Sequence, residues 1–96
     1  MFSSASDFSR NISSEMQGLH GKSIRNKESL RASNMVGCFH CASMFPSTAV
    51  VAWTEEFNPP GETGICPICG VDALIGDAVV PSISIDLLRQ MKKLWF

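Results

Sequence analysis

Between Ala32 and Leu88 the sequence has no lysine or arginine, although six carboxylates lie there. Binding a phosphate backbone requires cations, so this stretch by itself offers no nucleic-acid surface. No apolar run approaches the roughly 18 residues of a membrane-crossing helix. The first twenty residues lack the apolar stretch of about 7–15 residues that marks a secretory signal. Secretion is therefore not expected, and a reducing compartment is. Charge of either sign is scarce overall: the formal net charge is −1 over 96 residues. No global field favours nucleic acid or an anionic membrane. With 45% hydrophobic and 18% charged residues, the composition is that of one globular domain.

What charge exists is unevenly placed. Up to Gly37, Arg10, Lys22, Arg25, Lys27 and Arg31 outnumber Asp7, Glu15 and Glu28. From Cys38 onward, Glu55, Glu56, Glu62, Asp72, Asp77 and Asp86 outnumber Arg89, Lys92 and Lys93. The opening stretch is rich in serine, and Phe2, Phe8 and Ile12 follow no helical or strand period. Residues 1–19 are read as a flexible arm and 20–96 as a single domain. A transit peptide would also be serine-rich, but Arg10 is its lone base, with Asp7 and Glu15 beside it.

Local signals place the elements. Asn26 fits an N-cap for a short helix over Lys27–Ser33, with Glu28 in the first turn and Asn34 as a left-handed stop. Gly37 fits a tight turn into Cys38. The run from Pro46 to Trp53 is ambiguous: Val50, Val51 and Trp53 favour a strand, Ser47 or Thr48 could cap a helix. Asn58-Pro59-Pro60-Gly61 is a turn. Short strands are expected around Thr63–Ile65 and Val71–Ile75, with Gly76-Asp77 as a turn. Pro81 interrupts the chain, and Ser84 caps a helix from Ile85 to about Trp95. Leu87, Leu88, Met91, Leu94 and Trp95 share one helical face, and Ile85 extends it. Asp86 near its start and Lys92 and Lys93 near its end suit the helix dipole.

The strongest signal is cysteine. All four fall in two pairs, Cys38-Phe39-His40-Cys41 and Cys66-Pro67-Ile68-Cys69-Gly70, with 24 residues between the pairs. A two-residue spacing lets a tight turn aim both sulfurs at one ion, and two such turns complete a tetrahedral Zn(II) site. Proline sets the entry to the second turn, and glycine accepts positive φ after its second sulfur. Four thiolates leave no open position for water or substrate, which argues for one structural Zn(II) per chain and against zinc catalysis. Iron in a rubredoxin-like site uses the same ligands. Two disulfides are the alternative that secretion would require. A domain of about 75 residues also needs a staple, and zinc binding worth about 10–16 kcal/mol would rival its whole stability.

From about His20 to Phe96 the chain resembles a group of small bacterial proteins, described only as cytoplasmic and uncharacterised. The resemblance rests on Gly37-Cys38-Phe39-His40-Cys41, Trp53, Cys66-Pro67-Ile68-Cys69-Gly70-Val71-Asp72, Ile75-Gly76-Asp77, Met91 and Trp95-Phe96. It implies a zinc-ribbon-like core, a cytoplasmic setting and a helical segment before Trp53; it implies no activity. The Glu55–Glu62 insert and the serine-rich arm depart from the group.

Four functional classes compete. Cys38-Phe39-His40-Cys41 resembles the Cys-x-His-Cys of thioredoxin-fold oxidoreductases, but no βαβ pattern surrounds it and the second pair would be idle. Two Cys pairs with Gly70-Val71-Asp72 resemble HNH-type nucleases, yet Ala73 stands where the histidine base belongs, and His20 and His40 are the only histidines. Nucleic-acid binding would fall to the basic Lys22–Arg31 segment and Lys92-Lys93. A protein-interaction module would use an acidic face from Glu55, Glu56, Glu62, Asp72 and Asp77, with Phe45, Trp53 and Phe57 as anchors. His40 is expected to point away from four available sulfurs, and His20 has no visible partner. Asp72 is expected to accept backbone hydrogen bonds that shape its knuckle, and Met35, Met44 and Met91 to fill core. The expectation is therefore an α+β chain with a zinc-ribbon-like core, metal ligands Cys38, Cys41, Cys66 and Cys69, and non-enzymatic protein binding. Nucleic-acid binding is the alternative.

Overall fold

The computed structural model describes residues 14–96. Residues 1–13, the greater part of the expected arm, lie outside them. Three helices and five strands are described, in the order α1 (Ser14–Gly21), α2 (Lys27–Ala32), β1 (Met35–Cys38), β2 (Ser43–Pro46), β3 (Ala52–Phe57), β4 (Pro60–Ile65), β5 (Leu74–Gly76) and α3 (Ile85–Trp95). A 3₁₀ turn at Ser47–Ala49 joins β2 to β3. The chain is thus a mix of helices and antiparallel strands.

The strands form two sheets. One is three-stranded in the order β2-β1-β5, all antiparallel, with Val36 opposite both Phe45 and Gly76. The other is the β3-β4 hairpin, with Ala52 opposite Ile65 and Phe57 opposite Pro60. Asn58 and Pro59 make its two-residue loop. The core lies between the three-stranded sheet, α2 and α3. Val36, Leu30, Leu74, Ile75, Leu88 and Met91 are all buried there.

α3 follows its sequence signals. Ser84 Oγ accepts from Leu87 N at 3.1 Å, satisfying one of the open N–H groups of the first turn. Leu88 and Met91 are fully buried, Leu87 and Trp95 pack at the margin, and Ile85 points outward at 37% exposure. α1, where the sequence has no period, is held by Leu19 against the core and by His20 stacked on Trp95 at 4.5 Å.

Several local expectations change. Pro60 and Gly61 lie in β4 and Gly76 in β5 rather than in turns. Gly37 is inside β1, not in a turn. A Cβ there would come within 2.6 Å of Leu88 Cδ1 and 3.1 Å of Ile83 Cδ1; the glycine lets α3 lie directly on the central strand. Asn34 is not the left-handed stop of α2. The helix ends at an extended Ser33, whose hydroxyl donates to Ser29 O at 2.8 Å and accepts from Ala78 N at 3.0 Å. The segment before Trp53 is helical only as one 3₁₀ turn at Ser47–Ala49; Val50 and Val51 belong to no element, and strand begins at Ala52.

Asn26 precedes α2 as expected, but its side chain makes no cap. Its Nδ2 donates to Leu74 O at 2.9 Å, and its Oδ1 accepts from Gly64 N at 2.9 Å. One amide, 4% exposed, therefore ties the hairpin to the three-stranded sheet. Both backbone groups are buried and would otherwise lack partners, so the amide does work that no helix cap could.

Candidate metal centre

The two cysteine pairs occupy two turns. Cys38 ends β1 and Cys41 sits in the turn to β2, while Cys66 and Cys69 form the turn between β4 and β5. Backbone hydrogen bonds fix both. Phe39 N donates to Ala73 O at 3.0 Å, joining the first turn to the strand that comes after the second. Cys66 N donates to Val71 O, and Gly70 N donates to Cys66 O, each at 3.0 Å. After the second cysteine of each pair the chain takes positive φ: Gly70 at +79° and Ala42 at +57°. Glycine adopts this freely; alanine does so at a cost. The two turns thus share this backbone feature, with the better residue in the second.

The four Sγ atoms lie within 4.8 Å of one another. Cys38 Sγ is 3.6 Å from Cys69 Sγ, and Cys41 Sγ is 3.8 Å from Cys66 Sγ. Zinc–sulfur bonds of about 2.3 Å give a regular tetrahedron with edges of about 3.8 Å. A disulfide would need about 2.0 Å. The spacing is therefore that of four ligands around one ion, and all four thiols are free. Peptide N–H groups also point at the sulfurs. His40 N donates to Cys38 Sγ at 3.3 Å, and Ile68 N and Cys69 N donate to Cys66 Sγ at 3.4 Å. Such bonds stabilise thiolate over thiol.

Protonation differs across the cluster. Burial pushes the Cys38 thiol well above the usual thiol range and raises Cys69 as well. Burial also opposes ionisation of Cys41, but hydrogen bonds with Ser43 and the neighbouring sulfurs outweigh it and bring that thiol down to about 7. Four thiolates this close repel one another strongly unless a cation neutralises them. The donor set, its spacing and its amide bonds fit one metal ion with a closed shell.

The other candidate residues disperse. His40 is not among the clustered ligands; its ring meets Phe96 edge-on at 4.7 Å, and its Nδ1 is buried with no partner among the described residues. His20 packs between Phe39, at 5.7 Å, and Trp95. Asp72 is exposed and makes no side-chain hydrogen bond among the described residues. The expected bracing of the second turn by Asp72 is therefore not seen, and the aspartate that does bind backbone amides, Asp77, accepts from Asn34 N at 2.9 Å and Met35 N at 3.2 Å at the far end of β1. Phe45 is core, whereas Phe57 is 79% exposed at the hairpin tip. Trp53 is half-buried with Lys27 Nζ 5.3 Å over its ring. Lys27 also pairs with Glu62 at 3.0 Å. Arg25 donates to Pro59 O at 2.8 Å and Asn58 O at 3.3 Å. Two of the four bases in the Lys22–Arg31 segment thus hold the hairpin in place.

A cleft of about 570 Å³ lies between α2 and the hairpin, lined by both signs of charge, Arg31 and Glu28 facing Glu55 and Glu56, with Phe57 at its rim. No helix among the described residues is long and apolar enough to cross a membrane. Comparison with family models, with curated proteins and with solved structures finds no match to this chain.

Proposed function

We propose that the chain is a small non-enzymatic zinc protein with a zinc-ribbon-like core, in which Cys38, Cys41, Cys66 and Cys69 hold one structural Zn(II) and the folded surface binds another protein. The observation that carries the metal assignment is the pair of sulfur separations, 3.6 and 3.8 Å, which match the edges of a zinc–thiolate tetrahedron. Bound there, the ion joins the β1–β2 turn to the β4–β5 turn and so links both sheets. A closed thiolate shell supplies no activated water, which favours a scaffold over a hydrolase.

For the binding role, support comes from Phe57, 79% exposed with Glu55 on the same side of β3, and from Val51, 79% exposed at the base of the same hairpin. An exposed aromatic beside an acid suits a partner with basic and apolar side chains. The nucleic-acid reading loses ground, because Arg25 and Lys27 are engaged within the fold. Native mass spectrometry with elemental analysis tests the metal assignment, with one zinc per chain expected and a metal-free chain with reduced thiols against it. Retention on heparin that vanishes with salt, and with Lys22→Ala and Arg31→Ala, would reinstate nucleic-acid binding.

A further inference from the structure

The four sulfurs are not equivalent. In each turn the first cysteine is buried and accepts peptide N–H bonds, whereas the second, Cys41 or Cys69, is half-buried and reaches the surface. Each half-buried sulfur also faces the buried sulfur of the opposite turn: Cys69 faces Cys38 at 3.6 Å, and Cys41 faces Cys66 at 3.8 Å. All four sulfurs lie within 4.8 Å of one another, and the contacts at 3.6 and 3.8 Å both cross between the turns, so each accessible thiolate has a resolving partner in place on the other turn.

We propose that this cluster is a peroxide-sensitive modification site, in which oxidation converts the metal-binding set into two cross-turn disulfides, Cys38–Cys69 and Cys41–Cys66. The inference rests on the metal reading above. The accessible thiolate attacks a hydroperoxide: an S–O bond forms, the O–O bond breaks, and the leaving oxygen departs as water after taking a proton. The facing thiolate then attacks that sulfur. An S–S bond forms, and hydroxide leaves and is protonated to a second water. Each disulfide removes two electrons from two cysteines and consumes one peroxide. Closing either pair requires the sulfurs to approach by under 2 Å.

The first disulfide removes two of four ligands, so the ion is lost. The pairing also sets the fate of the metal-free chain. A disulfide within one turn would leave the two sheets unlinked, as chelation does. Cross-turn disulfides join the same two turns that the metal joins, so the metal-free oxidised chain remains folded. Oxidation and chelation therefore have opposite structural outcomes.

The test uses the full chain with its metal content measured beforehand. Hydrogen peroxide is added, released metal is followed with a chromogenic chelator, remaining thiols are alkylated, and the disulfides are mapped. A glutamyl endopeptidase separates the two turns at Glu55, Glu56 and Glu62. The expected result is release of one ion per chain, Cys38–Cys69 and Cys41–Cys66 linkages joining the two halves, and a far-UV circular dichroism spectrum retained relative to the chelated protein. Linkages within a turn, the exchanged pairing Cys38–Cys66 and Cys41–Cys69 read by fragmenting the linked peptides, disulfides between chains, or thiols that survive peroxide able to oxidise free cysteine would overturn the inference. A chain without metal at the outset overturns the metal reading instead, and the disulfide map still tests the pairing.

Discussion

Replacing Asn26 by alanine removes the side chain that joins the hairpin to the three-stranded sheet. Two hydrogen bonds are lost, and Gly64 N–H and Leu74 C=O are left in a site that is 4% exposed. An unsatisfied buried polar group costs about 1–3 kcal/mol, so the pair together costs about 2–6 kcal/mol. A chain this size has a total stability of about 5–14 kcal/mol. The substitution should therefore lower the urea midpoint by at least about a seventh, and by about 40% at the middle of both ranges, at unchanged slope. Asn26→Asp sharpens the test. It keeps an acceptor for Gly64 N but sets a carboxylate oxygen against Leu74 O, so it should be no better than alanine. Urea denaturation of the metal-replete protein, followed by Trp fluorescence, measures both. Two variants within about 0.5 kcal/mol of the parent would refute the assigned role of the amide.

The remaining predictions concern the metal turns and the core. Removing the ion with a strong chelator should unfold much of residues 35–96, with a large loss of far-UV circular dichroism; full retention would contradict a structural role. Gly70→Ala should destabilise by about 1–2 kcal/mol, because φ is +79° there. Ala42→Gly should gain up to about 1 kcal/mol by relieving the corresponding strain, and a chemical melt distinguishes the signs. Leu88→Ala should cost about 2–5 kcal/mol through the cavity left under α3. Metal affinity should rise with pH near neutrality: Cys38 and Cys69 are raised by burial, so binding displaces their protons. With at least these two protons displaced, the apparent affinity changes by about 100-fold or more per pH unit, which chelator competition at two pH values can read.

Much of the architecture was legible from local chemistry. Ser84, Asp86 and the apolar stripe of α3 are sequential signals, and the helix begins and ends where they place it. The paired cysteines were legible for the same reason: a two-residue spacing constrains its own turn whatever surrounds it. What stayed hidden depends on residues distant in sequence. Asn26 is a sensible cap when only its neighbours are considered, yet its partners lie 38 and 48 residues away. Gly37 reads as a turn until α3 is set against β1. Asp72 lies nearer the second turn in sequence, but Asp77 pairs with the amides leading into β1. Charge misled in a related way: Arg25 and Lys27 look available for a ligand and are occupied by the hairpin.

The central claim is a closed four-sulfur zinc site, and X-ray absorption at the zinc K edge of the purified protein tests it most directly. Four sulfur scatterers at about 2.3 Å and no nitrogen or oxygen in the first shell are the expected result. A shell containing nitrogen from His40, an oxygen from water, or too little zinc to give an edge would contradict it.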